Sequence, residues 1–518
     1  MSAPTDTDVL IVGAGPVGLF LANECARRGV RWRLIETCAS QSEHSKALAI
    51  FPRTLEIFDM AGISDRFVGA ANRVTAVAVE THGHRLAAMR FEPRETPYPF
   101  VAMVPQDLTE KVLCEALRAR AGHVDYRTTF VSAEPHDDCV VVTMDRAGSA
   151  ETLRASFVVG CDGAHSSVRH ALGVGFDGAE YADVFLLADV ATNDALPADE
   201  MQLCPSESGP VAIFPMSATR RRIVATVDGA IGERPTLELV QRVVSERGPA
   251  GLEVRALHWS SYFRVHHRHA RTLRIGRVFL AGDAAHIHSP FGGQGMNTGL
   301  HDVWNLAWKL DLFLRGRANA ALLDSYTAER LPVIKSVIAM TDRLTRIMGT
   351  PSKLAQALRN VVIPRVSRLA PFQHAFVERL SELGIAYEGS PIVEGAGERF
   401  FDETIRGGSG IGSRFLLFIG LDVDPDTRGA AVALCREWSD LIELREGTDD
   451  GITLVRPDGY VATAIRPTAT SPVVESLRAL IERQITPAGS IAAGSQVSES
   501  ARAHVAMKRR PSSEEISG

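Results

Sequence analysis

The sequence predicts an α/β protein with several domains, and three observations support this fold class. The chain has 518 residues, which at about 150 residues per domain corresponds to roughly three cores. Between residues 6 and 180, short continuous apolar runs typical of buried strands alternate with helical patterns and with strand-rich stretches. From Gly295 to about residue 385 the pattern is helical, and a smaller α/β pattern follows at about 414–485.

The N-terminal residues have the pattern of a βαβ unit. An apolar run at 9–12 is followed by glycines spaced as GxGxxG, which open a helical pattern, and a second strand ends at Glu36. At this spacing Gly13 permits a tight turn, Gly15 lets the backbone approach a pyrophosphate, and Gly18 lets helix and strand pack closely. The helix N-terminus would bind the phosphates, and Glu36 would accept both hydroxyls of an adenosine ribose. The sequence therefore predicts a Rossmann-like dinucleotide site.

Two further motifs follow apolar strands later in the chain. One strand ends at Asp283, where a carboxylate suits the hydroxyls of a sugar-alcohol chain such as ribityl. A glycine turn then opens a long helix, and the backbone N–H groups of Gly295–Asn297 would face an anion. Because a reduced flavin is negative at its N1–C2=O edge, this turn is a candidate site for the isoalloxazine. The other motif, Asp162-Gly163, predicts by itself only a turn before a capped helix.

Composition and charge exclude several classes of function. Lys and Arg number 56 against 62 Asp and Glu, a net charge of −6 that does not favour binding to nucleic acid. The apolar run at 9–22 is broken by glycines, is too short to cross a bilayer and lacks a preceding basic segment, so we expect a cytoplasmic protein without a membrane partner. The seven cysteines include no CxxC pair, and neither they nor the histidines are spaced for a metal site.

Together, the three motifs resemble the single-component FAD-dependent aromatic hydroxylases of the p-hydroxybenzoate, phenol and aromatic polyketide hydroxylase type. That family carries the same motifs in the same order and at similar spacing, and the resemblance covers about residues 6–385. The stretch 324–332 (DSYTAERLP) also resembles a helix of the family. Further on, 454–461 (LVRPDGYV) resembles the thioredoxin-like C-terminal domain of the phenol and polyketide hydroxylases, here without a CxxC pair.

The patterns and the resemblance predict the division of the chain into domains. The expected parts are an FAD-binding domain with a helical segment (1–75, 100–180 and 270–390), a substrate-binding β-sheet domain (76–99 and 181–269), a linker (391–413), a thioredoxin-like domain (414–485) and a disordered tail (486–518).

The resemblance also assigns roles to individual residues. Those that would bind FAD, without a covalent bond, are Gly13, Gly15, Pro16, Gly18, Glu36, Lys46, Gln106, Asp162, Asp283, Pro290, Gly293, Gly295, Met296 and Asn297. Lys46 departs from the family, which usually has arginine in this stretch; lysine keeps the charge but loses the bidentate fork. Arg222 and Pro290 would lie near the flavin, and no residue is identified as a catalytic base.

The substrate strand differs from that of p-hydroxybenzoate hydroxylase. Phe214 and Met216 stand where that enzyme has a serine and an arginine for the substrate carboxylate. Leu203 aligns with the tyrosine that helps to deprotonate the phenol, whereas Arg222 matches an arginine beside the flavin. We therefore expect an apolar pocket for a larger or uncharged aromatic.

The function implied by the resemblance is hydroxylation of a phenolic or polycyclic aromatic compound by NADH or NADPH and O2, through a flavin C4a-hydroperoxide. One alternative is a flavin enzyme of the same fold that catalyses epoxidation, oxidative decarboxylation or halogenation, although no Trp-x-Trp-x-Ile motif of halogenases occurs. Another is a flavin-binding protein without turnover. A homodimer is a possible assembly.

Overall fold

The computed structural model describes residues 4–41, 46–81, 83–92, 95–227, 234–289, 292–350, 352–408, 411–447, 451–465 and 473–483. The strands are β1 (Thr7–Val12), β2 (Trp32–Glu36), β3 (Ala49–Ile50), β4 (Asn72–Val74), β5 (Ala76–Thr81), β6 (His84–Arg90), β7 (Val101–Met103), β8 (Asp125–Tyr126), β9 (Thr128–Pro135), β10 (Val140–Arg146), β11 (Ser149–Gly160), β12 (Phe176–Thr192), β13 (Glu200–Cys204), β14 (Val211–Pro215), β15 (Arg220–Val227), β16 (Val254–Ala270), β17 (Arg274–Ile275), β18 (Val278–Leu280), β19 (His286–Ile287), β20 (Phe415–Ile419), β21 (Ile442–Glu446), β22 (Ile452–Val455) and β23 (Val461–Ile465).

The helices are α1 (Pro16–Arg28), α2 (Pro52–Met60), α3 (Ser64–Ala70), α4 (Gln106–Ala119), α5 (Ser167–Ala171), α6 (Leu237–Arg247), α7 (Gly295–Leu314), α8 (Ala320–Met348), α9 (Lys353–Val366), α10 (Ala370–Ser381), α11 (Pro425–Glu437) and α12 (Val473–Glu482). Short 3-10 helices occupy Gly282–Ala284 and Glu403–Ile405. The predicted mixed α/β class is confirmed.

The first sheet has the strand order β17-β18-β11-β1-β2-β8, and β10 and β9 extend it from β11. Its central strands β18, β11, β1 and β2 are parallel. Gly160 at the end of β11 lies opposite both Val12 and Leu280, the last residues of β1 and β18. Because parallel strands in this register end together, the residues that follow each of them meet at one edge of the sheet.

The second sheet has the order β19-β16-β12-β15-β14-β13-β5-β6, in which only β13 and β5 pair in parallel. Its side chains alternate between two apolar clusters, as strand geometry requires. On β12, Phe185 and Leu187 point into one cluster, whereas Leu186 and Ala188 point into the other. The first cluster contains side chains of α10, and the second is covered by α6. A small sheet, β3-β7-β4, lies beside the first cluster.

The C-terminal residues form a third sheet with the order β21-β20-β22-β23. β20 and β21 are parallel, whereas β22 is antiparallel to both of its neighbours. The core of this module includes Trp308 and Leu312 of α7, so the module packs directly on the long helix.

Within the stretch 391–413, predicted as a linker, the described residues around 399–407 are packed against α2. Arg399 pairs with Glu56 at 3.0 Å, and Arg406 pairs with Asp59 at 2.8 Å. Ile405 is fully buried. The predicted tail at 486–518 lies outside the described residues. In the part of the chain that the structure describes, no helix is long and apolar enough to cross a membrane.

Candidate active site

The glycine-rich turn lies between β1 and α1, and each of its three positions has glycine for a different physical reason. Gly13 has φ +99°, and a Cβ placed there would lie 2.5 Å from the carbonyl oxygen of Cys161. A Cβ on Gly18 would lie 1.9 Å from the carbonyl oxygen of Gly13. A Cβ on Gly15, in contrast, would meet no atom of the described residues within 4 Å. Gly15 therefore borders open space that a ligand can enter, as the pyrophosphate interpretation requires.

Glu36 lies at the end of β2, beside the glycine turn. Its Oε2 accepts a hydrogen bond from the Ala14 N–H at 2.8 Å, and its Oε1 accepts one from the Cys38 N–H at 2.9 Å. These bonds fix the carboxylate in one orientation. Each carboxylate oxygen keeps a second lone pair, so Glu36 can still accept ribose hydroxyls.

Asp162 belongs to the motif that predicts least by itself, yet it lies next to the glycine-rich turn, which is the strongest of the three motifs. A Cβ on Gly13 would be 2.8 Å from the Cα atom of Asp162. The Oδ2 atom of Asp162 accepts the Val168 N–H at 3.1 Å. Its Oδ1 atom is buried and has no hydrogen-bond partner among the described residues. A buried acceptor without a partner is costly, so this oxygen is suited to a donor on a bound ligand.

Asp283 follows β18 at the same edge of the sheet. Its side chain is accessible to solvent, yet the protein around it raises its pKa by desolvation, and attraction from His286 and Lys46 opposes the shift. Gly282 makes this turn with φ +60°, and a Cβ there would lie 2.9 Å from the side chain of Val17.

Sequence reasoning missed the network that holds the Asp283 turn. The Oδ2 atom of Asp302 accepts two hydrogen bonds, one from the Gly282 N–H at 3.1 Å and one from His286 Nε2 at 2.8 Å. Its other oxygen accepts from Arg330 Nε at 2.8 Å. Burial raises the pKa of Asp302, but His286 and Arg330 outweigh burial and lower it overall. The one sequence signal of this network is that a charged residue, Asp302, stands within the apolar helical pattern after Gly295.

The side chain of Asn297 ties the start of α7 to the start of α2. Its Oδ1 accepts from the Phe51 N–H at 3.0 Å and from Thr54 Oγ1 at 2.8 Å. Its Nδ2 donates to the carbonyl oxygens of Ala49 at 2.9 Å and Gly293 at 3.2 Å. Because the side chain is fully used within the protein, Asn297 can serve a ligand only through its backbone.

The first N–H groups of α7 face the same region. The Thr298 N–H makes the first bond of the helix, to the carbonyl oxygen of Gln294 at 2.8 Å. The N–H groups of Gly295, Met296 and Asn297 precede it and have no partner within the helix. His288, 3.6 Å from a Cβ on Gly295, is half-buried, and desolvation followed by repulsion from His286 lowers its pKa to about 4. Pro290 lies outside the described residues.

Arg222 and Gln106 both hold the segment that carries Lys46. Arg222 pairs with Asp189 at 2.7 and 2.8 Å, and its Nη1 donates to the carbonyl oxygens of Lys46 and Ala47, each at 3.0 Å. Gln106 accepts the Ala47 N–H at 3.1 Å. The Lys46 side chain is exposed and attracts Asp283. Arg222 and Gln106 thus hold the segment from which Lys46 acts on Asp283.

The three predicted pocket residues belong to one apolar cluster. Phe214 is buried, with 9% of its surface exposed, and Leu203 and Met216 pack against the cluster from partly exposed positions. The cluster also contains Phe51, which is bonded to Asn297. The apolar face of the second sheet therefore reaches the start of α7.

The site as a whole consists of a glycine turn, an acid at the end of β2, further acids after β11 and β18, and a helix N-terminus, all at one edge of a parallel sheet. This arrangement defines a dinucleotide-binding protein of the α/β class. The Asp162 Oδ1 atom, which has no hydrogen-bond partner among the described residues, and the open space at Gly15 fit a bound dinucleotide such as FAD.

Comparison with known proteins identifies the family. The family model "FAD binding domain" matches residues 6–341. The 6-methylpretetramide 4-monooxygenase of Streptomyces rimosus is 36% identical over 75% of this chain and 72% of its own. An anhydrotetracycline hydroxylase from Streptomyces rimosus is 28% identical with a TM-score of 0.74, covering 91% and 98% of the chains. An aklavinone-11 hydroxylase solved with FAD and aklavinone is 25% identical with a TM-score of 0.75, covering 93% and 99%.

The chain belongs to this FAD-binding family of flavin-dependent aromatic monooxygenases. Its cofactor is FAD, and the family uses NAD(P)H and O2. The prediction of an FAD-dependent monooxygenase that hydroxylates aromatic substrates is confirmed.

Proposed function

We propose that this monooxygenase hydroxylates a neutral phenolic or polycyclic aromatic compound. The observation that carries the proposal is the continuous apolar cluster that runs from Phe214 on the second sheet to Phe51 beside α7. Two arginines lie opposite this strand in register, and both are already engaged. Arg222, opposite Phe214, is paired with Asp189, and Arg221, opposite Pro215, donates to the carbonyl oxygens of Leu196 and Pro197. A substrate carboxylate would therefore be desolvated without a partner, at a cost of several kcal/mol.

The relatives support a substrate of polyketide size. Those described above are named for 6-methylpretetramide, anhydrotetracycline and aklavinone. An apolar sheet face with side chains of α10 opposite it suits flat ring systems of this kind, because they bury large apolar areas.

We assign FAD binding to the edge of the first sheet. Gly15 would accept the pyrophosphate, Glu36 the adenosine ribose and Asp283 the ribityl chain. The N–H groups at Gly295–Asn297, with the dipole of α7, would stabilise negative charge at the flavin edge. Lys46 adds a positive charge beside Asp283. When bound, FAD supplies the route by which electrons pass from the nicotinamide to O2, and the apolar cluster excludes water from the reacting groups.

We also propose that the C-terminal module is thioredoxin-like. The order β21-β20-β22-β23, with only the first pair parallel, supports this interpretation. Its one cysteine, Cys435, has a pKa raised to about 11 by burial, so we assign it no redox role. The domain boundaries, the cytoplasmic location, the non-covalent state of FAD and the homodimer stay predictions.

Oxidation of NADH and NADPH with a panel of phenols tests the substrate class. We expect uncharged and polycyclic phenols to stimulate oxidation and to gain one oxygen atom by mass, whereas p-hydroxybenzoate should be poor. Met216→Arg should impair the preferred substrate and improve recognition of carboxylated rings, and Met216→Leu, which keeps an apolar side chain of similar size, is the matched control. Efficient hydroxylation of p-hydroxybenzoate by the unmodified enzyme would contradict the proposal, and a product lacking the added oxygen would favour another flavin reaction.

A further inference from the structure

The turn between β22 and β23 is inserted between two helices of the FAD-binding part of the chain. Trp304 Nε1 on α7 donates to the carbonyl oxygen of Asp458 at 2.9 Å. Arg53 on α2 donates to the carbonyl oxygens of Asp458 and Gly459, each at 3.3 Å. Asn305 Nδ2 donates to the Asp458 carboxylate at 3.3 Å. One turn of the C-terminal module therefore holds both α2 and α7.

The turn is itself fixed by fully buried charges. Arg456 makes two bonds to Glu329 on α8, at 2.6 and 2.9 Å, and two to Asp458, at 3.0 and 2.6 Å. Lys309 on α7 donates to the same glutamate at 2.7 Å. Buried charges are tolerated only when each is paired in good geometry, so the positions of these groups are narrowly defined.

The two helices held by the turn meet at the flavin-edge residue Asn297. The Phe51 N–H immediately before α2 and the Thr54 hydroxyl within it both bond Asn297 Oδ1. On α7, Trp304 follows Asn297 by about two helical turns, or about 10 Å. Displacement of either helix from the turn would be transmitted to Asn297 through continuous helix.

We propose that residues 456–460 are a positioning element for the flavin site. By fixing α2 and α7 relative to each other, the turn sets the place of the Gly295–Asn297 N–H groups, without touching FAD. The role rests on the proposed assignment of these N–H groups to the flavin edge, but it does not depend on which aromatic substrate the enzyme takes. The C-terminal module is then part of the flavin site rather than an accessory for assembly.

Conservative substitutions in the full-length, FAD-loaded enzyme test the proposal. Trp304→Phe keeps an aromatic ring and removes the N–H that bonds Asp458, and Arg456→Lys keeps the charge but loses the two-pronged contact with Glu329. The control is Arg478→Lys, in the same module, whose ion pair with Glu437 at 2.6 Å stays within it. We measure the Kd of FAD, the visible spectrum of the bound flavin, and the hydrogen peroxide released per NAD(P)H, at temperatures where circular dichroism reports a folded protein.

We expect Trp304→Phe to weaken FAD binding about three- to tenfold, as the loss of one hydrogen bond would, to shift the flavin spectrum and to raise the peroxide fraction. The Arg478→Lys control should match the unmodified enzyme. A folded Trp304→Phe protein with a lowered Tm but normal Kd, spectrum and peroxide fraction would overturn the proposal, whether or not Arg456→Lys folds. Met296→Pro separates the two ideas, because it removes one of the proposed flavin-edge N–H groups in the first turn of α7, where proline is tolerated. If a folded Met296→Pro protein has a normal flavin, the flavin-edge assignment is wrong. If Met296→Pro alters the flavin and Trp304→Phe does not, only the positioning role is wrong.

Discussion

Replacing Gly15 with alanine should separate FAD binding from folding. Gly15 has φ −70° and ψ −177°, which alanine adopts without strain, and the added Cβ meets no atom of the described residues within 4 Å. The stability of the apoprotein should therefore change by less than about 1 kcal/mol, because alanine restricts the unfolded chain but is a poorer N-cap of α1 than glycine. The methyl group would instead occupy the space from which a phosphate oxygen approaches the backbone. Loss of one hydrogen bond to a charged group costs about 1.5–3 kcal/mol, so the Kd of FAD should rise about ten- to hundredfold.

Thermal unfolding with and without added FAD measures both effects. FAD raises the Tm of the unmodified protein in proportion to RT ln(1 + [FAD]/Kd), and this increase should shrink in Gly15→Ala while the apoprotein Tm holds. Gly18→Ala is the contrasting variant, because its Cβ would lie 1.9 Å from a backbone oxygen and should destabilise the protein even without FAD. A Gly15→Ala protein that binds FAD normally, or whose apoprotein is destabilised as much as that of Gly18→Ala, would refute the reasoning.

Three further substitutions test the site and its support. Asp283→Ala should weaken FAD binding by about 1.5–3 kcal/mol, since a charged acceptor is lost; an unchanged Kd would mean that the carboxylate is misassigned. Asp302→Asn removes the buried negative charge that pairs with Arg330 and should lower the free energy of unfolding by about 3–5 kcal/mol in denaturant titrations, whereas an unchanged midpoint would contradict this. Burial raises the pKa of Glu382 to about 8 despite the attraction of Arg330, so the folded state holds this proton more tightly than the unfolded state above pH about 4.5. Stability should therefore fall as pH rises towards 8, by at most about 1.4 kcal/mol per pH unit, and Glu382→Gln should flatten that decline; identical pH slopes would exclude the effect.

Much of the cofactor site could be predicted because its requirements are local in sequence. A buried strand, a glycine turn and a helix start follow one another within about a dozen residues, and each acid of the site comes at the end of a strand or shortly after it. Glu36, Asp162 and Asp283 needed only a parallel sheet to bring them together, and the matched ends of β2, β1, β11 and β18 do so. The Asp162 motif had little weight alone, because its partner across the edge, Gly13, is about 150 residues away in the chain.

The buried polar networks could not be predicted in the same way. Asp302 and Arg330 lie on different helices, and Arg456 meets Glu329 from a separate module. In a sequence, charged residues within helical patterns are typical of solvated faces. The sequence likewise indicates no role for His286, whose hydrogen bond to Asp302 depends on tertiary packing. Pairings across such distances depend on tertiary packing, which periodicity does not encode.

The need for these networks follows from the glycines of the site. α7 and the Asp283 turn approach so closely that a Cβ on Gly299 would lie 2.9 Å from the Cα atom of Gly282 and 2.7 Å from the Val17 side chain. Contacts made through glycine backbone contain no large side chains that could interlock and fix the position of a helix. Hydrogen bonds and buried ion pairs are directional, and those made by Asp302 and Asn297 supply that constraint instead. A site opened to a dinucleotide by glycines is therefore held in place by charges buried behind it.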